Sequence, residues 1–80
     1  MSLTLRQLRY FEALAREGSF GRAAAAVNIS QPALSMQIKK LEDDLGAALF
    51  VRSKRKVVLT HSGELFREEA RRCLAHAEQA

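Results

Sequence analysis

Residues 30–46, from Ser30 to Gly46, have the sequence SQPALSMQIKKLEDDLG. It begins and ends as a helix does. Ser30 is a favourable N-cap, Pro32 fits the first turn because its missing N–H is not needed there, and Gly46 can adopt the left-handed conformation that ends a helix. Apolar residues recur at helical spacing and predict one buried stripe, formed by Leu34, Ile38, Leu41 and Leu45.

The opposite side of this helix lacks the mixture of Glu and Lys that usually covers a solvent-facing helix. The side chains that point away from the stripe are Pro32, Ser35, Met36, Lys39 and Asp43. Near the N-terminus the residues of this side are small, uncharged or amide-bearing, namely Gln31, Ala33, Ser35, Met36 and Gln37. Small residues allow close approach to another surface, and glutamine can offer a donor and an acceptor to the edge of a base. By itself the helix fits DNA binding, a docking face for a protein, or a plain amphipathic helix.

The charge distribution favours a polyanionic partner. The chain has 80 residues, enough for one domain, and a formal net charge of +4. Acidic residues are absent from residues 18–41 and 45–63, and these stretches contain seven basic residues, namely Arg22, Lys39, Lys40, Arg52, Lys54, Arg55 and Lys56. A one-sided positive surface is typical of proteins that bind nucleic acid. A membrane surface fits less well, because no basic amphipathic helix with bulky aromatic residues is present.

Two shorter helices precede the first stretch. Thr4 can cap a helix over about residues 5–17, which Gly18 closes. Ser19 can cap an alanine-rich helix to about residue 27, which Asn28 can end because asparagine tolerates the left-handed region. The connection from there to Ser30 is very short. Two helices joined by so tight a turn predict a helix-turn-helix, whose second helix enters the major groove of DNA.

After Gly46 the pattern changes to two short β-branched or apolar runs, residues 49–52 and 56–59. They predict a small hairpin, a wing, with the basic tip Ser53-Lys54-Arg55. The alternative is a surface loop that happens to be basic, but strand-forming residues flank the tip on both sides. A basic tip beside a major-groove helix can reach phosphates or an adjacent minor groove.

Thr60 can cap a last helix. Apolar residues follow a heptad-like spacing on it over barely two repeats: Phe66, Ala70, Cys73, Leu74 and Ala77. This seam fits either a contact within the chain or half of a dimer interface. We expect a dimer, because the helix is longer than the core of an 80-residue chain can cover.

The sequence contains no catalytic constellation. His61 and His76 are isolated from other metal-ligating residues, and Cys73 has no evident base partner. The sequence therefore predicts neither an enzyme nor a metal or other cofactor site. A single cysteine, together with the lack of a signal-peptide core or a membrane-spanning run, favours the reducing cytoplasm.

Short motifs spread over nearly the whole chain carry a resemblance to a known family. They are Leu8-Arg9-Tyr10-Phe11, Gly18-Ser19-Phe20, Ala23-Ala24, the run from Ser30 to Ser35, Gln37-Ile38, Leu41-Glu42, Leu45-Gly46, Leu49-Phe50 with Arg52, and Leu59-Thr60 with Gly63. Together they resemble the LysR-type transcriptional regulators of bacteria. Residues 20–24 are also similar to the peroxide-sensing branch of that family.

The resemblance implies a mainly α fold. Residues 1–60 would form a winged helix-turn-helix with a two-stranded wing, and residues 61–80 a linker helix that pairs two chains. A regulatory domain would follow residue 80, and the protein would be cytoplasmic and associated with the nucleoid. The family's DNA contacts correspond to Gln31, Pro32, Ala33 and Ser35 on the helix and to Arg52 and Arg55 on the wing. The family often has arginine after Ser35, where this chain has Met36.

The sequence thus predicts a homodimer that binds double-stranded DNA with dyad-symmetric half-sites. The predicted DNA-binding residues are Ser30, Gln31, Pro32, Ala33, Ser35, Met36 and Lys39 on the helix and Arg52, Ser53, Lys54 and Arg55 on the wing. We expect Lys39, Lys54, Lys56 and Arg6 on the phosphate backbone, Arg55 at the minor groove, and Met36 against a thymine methyl group. The alternative is a winged-helix module that docks an acidic protein. The uncharged Gln and Ser side chains favour DNA, because a helix that binds a protein groove would present large apolar anchors.

Overall fold

The computed structural model of the chain describes residues 3–53 and 55–79. The bounds of its helices and strands are α1 Leu5–Glu17, α2 Phe20–Ala26, α3 Gln31–Leu45, β1 Phe50–Arg52, β2 Val57–Leu59 and α4 His61–Gln79. The two strands pair antiparallel, with Phe50 opposite Leu59. The predicted mainly α winged helix-turn-helix is confirmed, and each strand begins one residue later than the sequence indicates.

Local interactions define where the helices begin and end, at the positions that the sequence predicts. Thr4 and Gln7 form a capping box, in which Thr4 Oγ1 accepts from Gln7 N at 3.1 Å and Gln7 Oε1 accepts from Thr4 N at 2.9 Å. Gly18 closes α1 with φ of 67°, and Asn28 takes φ of 59° in the turn after α2. The left-handed residue at 28 reverses the chain within a few residues, so that α3 can begin close to the end of α2.

The core is organised around α1. The largest fully buried side chains come from α1, from α3 and from the segment before β1, namely Phe11, Leu14, Leu34, Leu41 and Leu49. The ring of Phe11 lies 5.2 Å from that of Phe50 on the wing and 4.9 Å, edge-on, from that of Phe66 on α4. Such pairs add specificity to apolar burial. One residue of α1 therefore joins the wing and α4 to the same core.

The first turns of α4 pack on α1, which corrects part of the predicted dimer seam. Ala70 is only 1% exposed, Phe66 packs on Phe11, and Leu74 packs half-buried against the same core. A side chain as enclosed as that of Ala70 cannot contact a second chain. Phe66, Ala70 and Leu74 therefore pack against the core of their own chain and are not available as a contact with a second chain.

The remaining seam residues differ in exposure. Cys73 is exposed and Ala77 is half-buried. On the outer side of α4, Leu65 is 59% exposed. The dimer through α4 and the division of the chain after residue 60 stay predictions.

α4 crosses the segment before β1 at Gly63. A Cβ atom at this position would overlap the carbonyl oxygen of Leu49. The backbone N–H of Thr60 donates to the same oxygen at 3.0 Å, and Thr60 Oγ1 donates to the carbonyl of Ala48 at 2.6 Å while accepting from Gly63 N at 2.9 Å. Only glycine allows the two backbones to approach this closely.

A two-point ion pair also joins α1 to α4. Arg67 Nε donates to Glu12 Oε1 at 2.9 Å, and Arg67 Nη2 donates to Glu12 Oε2 at 3.1 Å. Arg71 Nε lies 3.7 Å from the same carboxylate. Burial alone raises the pKa of Glu12, but the hydrogen bond from Arg67 and the charges of Arg67, Arg71 and Arg16 outweigh it, so that the pKa lies below its ordinary value.

Candidate nucleic-acid interface

α3 exposes one side of its N-terminal half. We define the α3 face by the predicted residues that reach solvent there, Gln31, Pro32, Ser35, Met36 and Lys39. Four of them are exposed, Ser35 is half-buried, and Met36 is 68% exposed. The opposite side is buried in the core through Leu34, Ile38 and Leu41. The predicted stripe on this helix is therefore confirmed, with Leu45 half-buried against the same core, and Met36 projects away from it as expected.

Ser30 and Ala33 hold the first turn of α3. Ser30 Oγ accepts from the N–H of Ala33 at 3.2 Å. Because a hydroxyl has one proton and two lone pairs, this bond leaves the Ser30 proton available to an outside acceptor such as a phosphate oxygen. Ser30 is exposed, whereas Ala33 is half-buried.

The tip of the wing is closed by Ser53. Its backbone N–H and its hydroxyl both donate to the carbonyl of Lys56, at 2.9 and 3.0 Å. The hydroxyl proton of Ser53 therefore helps to shape the turn, and the contact of Ser53 with DNA stays a prediction. Arg55 is exposed, and Lys54 lies outside the described residues.

Arg52 connects the wing to α3. It follows Phe50 by two residues along β1, and residues at this spacing point to the same face of a strand. Its Nη2 donates to Ser35 Oγ at 3.3 Å, and its guanidinium carbon lies 4.3 Å from the centroid of the Phe20 ring on α2. A groove of about 260 Å³ is lined by Phe20, Gln31, Pro32, Ser35 and Arg52. The structure thus brings four of the predicted DNA-binding residues to one concave surface.

Two basic residues of α2 and α3 are paired with acids. Lys39 Nζ lies 3.9 Å from Asp43 Oδ2. Arg22 donates to the carbonyl of Glu17 at 2.8 Å and lies 3.7 Å from its carboxylate. Both pairs include an exposed cation, so water screens them and a phosphate can compete for the cation. Arg52 forms no ion pair with any acid in the described part of the chain.

Glu42 is a structural acid, although the sequence indicates only that it belongs to the acidic end of α3. Its Oε2 accepts from the backbone N–H of Leu49 at 2.7 Å and from that of Phe50 at 3.2 Å. These bonds fasten the beginning of the wing to α3. The sequence offers no local signal for them, because the partners lie seven and eight residues further along the chain.

Phe20 and Gly21 contribute to the groove in a way that the sequence does not indicate. The spacing of Phe20 predicts only an apolar residue of α2, yet its ring lies beneath Arg52. A Cβ atom at Gly21 would lie 3.2 Å from Nε2 of Gln31, so the glycine gives that side chain room. A glycine inside a helix is unfavourable, and it is a recognisable signal of close approach by another group.

The described residues form neither a metal-binding cluster nor a membrane-spanning helix. Within residues 3–53 and 55–79, no group of three or more His, Cys, Asp or Glu could hold a metal ion. In the same part of the chain, no helix is both long and apolar enough to cross a membrane.

Comparisons with known proteins identify relatives over most of the chain. Residues 5–64 match the family model for the bacterial regulatory helix-turn-helix proteins of the lysR family. The HTH-type transcriptional regulator XapR of Escherichia coli K12 is 58% identical over 73 residues, which cover 91% of this chain and 25% of XapR. The chain spans between about a quarter and about half of the length of the curated relatives that match it first.

Solved structures agree with the family match. The crystal structure of a CbnR_DBD–DNA complex aligns with a TM-score of 0.91 and 43% identity, covering 96% of this chain and 88% of that one. Full-length OxyR C199D from Pseudomonas aeruginosa aligns with a TM-score of 0.91 and 47% identity, covering 98% of this chain and 26% of that one. The resemblance to a peroxide-sensing branch stays a prediction. With a family match over three quarters of its length, the chain belongs to the lysR family of bacterial regulatory helix-turn-helix proteins.

Proposed function

We propose that this chain binds double-stranded DNA in a sequence-specific manner, as the operator-recognition part of a bacterial transcription regulator. The observation that carries the proposal is the groove in which Gln31, Pro32 and Ser35 of α3 meet Arg52 of the wing. It combines uncharged groups that can contact base edges with a cation that lacks an acidic partner among the described residues. That combination is what a sequence-reading surface on a polyanion requires.

α3 fits the major groove of DNA. A helix with its side chains is about 10–12 Å wide, and the major groove is about 12 Å wide. The exposed N-terminal half of α3 contains no acid, whereas Asp43 and Asp44 lie near its C-terminal end. The N-terminal half therefore enters the groove, and the acidic end stays outside the strong negative potential of the phosphates.

The residues of the interface divide into base-reading and backbone-binding groups. Gln31 can make paired hydrogen bonds to adenine, and the thioether of Met36 can contact the methyl group of thymine. Lys39 of α3 and Arg52 of the wing line one cavity between the two elements and bind phosphates. Arg55, exposed at the tip of the wing, reaches the adjacent minor groove.

The relatives support this assignment. The CbnR_DBD structure is a complex with DNA, and this chain shares its fold over nearly its whole length. Binding as a homodimer to dyad-symmetric half-sites is part of the proposal, with the outer side of α4 around Leu65 as the contact between chains. The packing of Phe66 and Ala70 on α1 leaves that outer side free within the described residues.

Selection of duplexes from a random library by the purified chain tests the proposal. We expect a shared sequence motif with two-fold symmetry, bound with an affinity that falls steeply as salt rises. A duplex affinity that barely changes between low and moderate salt would contradict backbone binding. Failure to enrich any motif, combined with binding to an acidic protein, would favour the protein-docking module instead.

A further inference from the structure

Arg52 contacts two other elements of the fold in the absence of DNA. Its guanidinium donates a hydrogen bond to Ser35 Oγ and lies over the Phe20 ring. These two contacts come from α3 and α2, so three separate elements meet at this side chain. A free arginine at the surface samples many rotamers, and the loss of that freedom opposes binding.

The contacts leave most of the guanidinium available. It carries five N–H donors, of which the structure assigns one to Ser35. A ring face attracts a cation but accepts no conventional hydrogen bond, so Phe20 supports Arg52 without using its donors. Arg52 remains exposed and forms no ion pair with an acid among the described residues. The arrangement suits an arginine that binds a phosphate at the edge of the α3 face.

The same hydrogen bond also orients Ser35. Because Ser35 Oγ accepts from Arg52, its own proton can be donated elsewhere. Base acceptors such as N7 and O6 of guanine or O4 of thymine present themselves to such a donor in the major groove. Arg52 therefore has two roles in this geometry. It can bind a phosphate itself, and its hydrogen bond to Ser35 makes Ser35 a donor toward a base.

From this geometry we propose that Phe20 is a positioning residue for DNA binding: its ring pre-organises Arg52 against Ser35, at the boundary between α3 and the wing, for contact with a phosphate. In this proposal Phe20 acts through Arg52 and needs no contact of its own with DNA. The inference rests on the proposed function and adds the residue through which α2 contributes to it. By ordering the Arg52 side chain before binding, Phe20 lowers the entropic cost of ordering it when DNA binds.

The experiment measures the affinity of the chain for a mixed-sequence DNA duplex as a function of salt. Phe20→Leu keeps an apolar side chain and removes the ring face. We expect this variant to bind about two- to tenfold more weakly than the parent, the range associated with ordering one rotamer-rich side chain. Phe20→Tyr keeps the aromatic face and is expected to restore the parent affinity.

A double substitution separates positioning from a general loss of structure. Arg52→Gln should lower the salt dependence by about one phosphate contact. In the Arg52→Gln background, Phe20→Leu should have almost no further effect, because the cation that Phe20 positions is gone. Phe66→Leu provides a matched control, because its half-buried ring on α4 packs on Phe11, outside the groove that Arg52 lines. It should lower the midpoint of thermal unfolding and leave the affinity unchanged.

The outcomes distinguish this inference from the proposed function. If the parent chain does not bind duplex DNA at all, the proposed function fails and the inference with it. If the parent binds but Phe20→Leu weakens binding equally with and without Arg52, Phe20 acts independently and the inference is wrong. The inference is also wrong if Phe20→Leu binds DNA as tightly as the parent does.

Discussion

The ion pair between Glu12 and Arg67 predicts how firmly α4 is held on α1. The two side chains are only 16% and 23% exposed, and they share two hydrogen bonds of 2.9 and 3.1 Å. Hydrogen bonds to charged groups contribute about 1.5–3 kcal/mol each to stability, part of which offsets the removal of both groups from water. We therefore expect Glu12→Gln to lower the free energy of unfolding by about 2 kcal/mol, because the amide can replace only one of the two acceptors.

Chemical and thermal unfolding followed by circular dichroism measure this loss. For a domain of this size, about 2 kcal/mol corresponds to a fall of about 8–16 °C in the midpoint of thermal unfolding. Arg67→Met and the double variant complete a cycle that isolates the coupling between the two residues. Glu69→Gln is the matched control, because its pair with Arg72 is about 70% exposed and such pairs contribute little. A loss for Glu12→Gln no greater than that for Glu69→Gln would show that the buried pair stabilises the chain no more than the exposed one does.

The same pair gives stability a pH dependence of defined sign. The pKa of Glu12 lies below its ordinary value of 4.5 in the folded chain, so near that pH the unfolded chain binds more protons. The stabilisation is complete above the unfolded-state pKa and is lost as the pH falls through the lower, folded-state pKa. We expect Glu12→Gln to flatten this acid limb and to leave the difference from the parent largest at neutral pH. An identical acid limb in the two proteins would contradict the assignment.

Three further substitutions test the fold and the interface. Gly63→Ala should destabilise the chain by about 3 kcal/mol in urea unfolding, because its Cβ would overlap the backbone of Leu49, whereas the exposed Ser62→Ala should have almost no effect. Gln31→Ala should relax base preference at one operator position by about 1–3 kcal/mol in competition binding, and a uniform loss across all sequences would mark Gln31 as a backbone contact. If Met36 contacts a thymine methyl group, replacing that thymine by uracil should weaken the parent by about 1 kcal/mol or less and leave Met36→Ala unaffected; losses that simply add at every position would exclude the contact.

The features that the sequence predicts correctly depend on neighbouring residues. Thr4, Ser30 and Thr60 accept from N–H groups three residues ahead, and Gly18 and Asn28 adopt backbone angles that few other residues tolerate. Such interactions are contained within a single turn of chain, so residue type and order suffice to predict them. Helical periodicity likewise predicts which residues of α3 share the exposed α3 face.

The features that the sequence leaves open depend on distant partners. The apolar spacing on α4 suits a second chain as well as α1, and only the fold shows that Phe66 and Ala70 are already covered. Arg52 is seventeen residues from Ser35, and nothing local indicates that the two side chains meet. Hydrogen bonds and ring contacts of this kind depend on the final packing of the elements, which composition and periodicity do not determine.

The bonds from Glu42 to the first residues of the wing have a consequence for the DNA itself. They join the first residues of the wing to α3 in the absence of DNA, so we expect the distance between the two elements to change little when DNA binds. Successive base pairs are stacked about 3.4 Å apart, and each adds about a tenth of a helical turn. In the proposed mode of binding, α3 reads bases in the major groove and Arg55 reaches the adjacent minor groove. Inserting one base pair between these two positions would therefore shift and rotate the minor groove away from Arg55. Each half-site should tolerate base changes in that gap but not a change in its length, and binding to duplexes that differ by a single inserted base pair would show it.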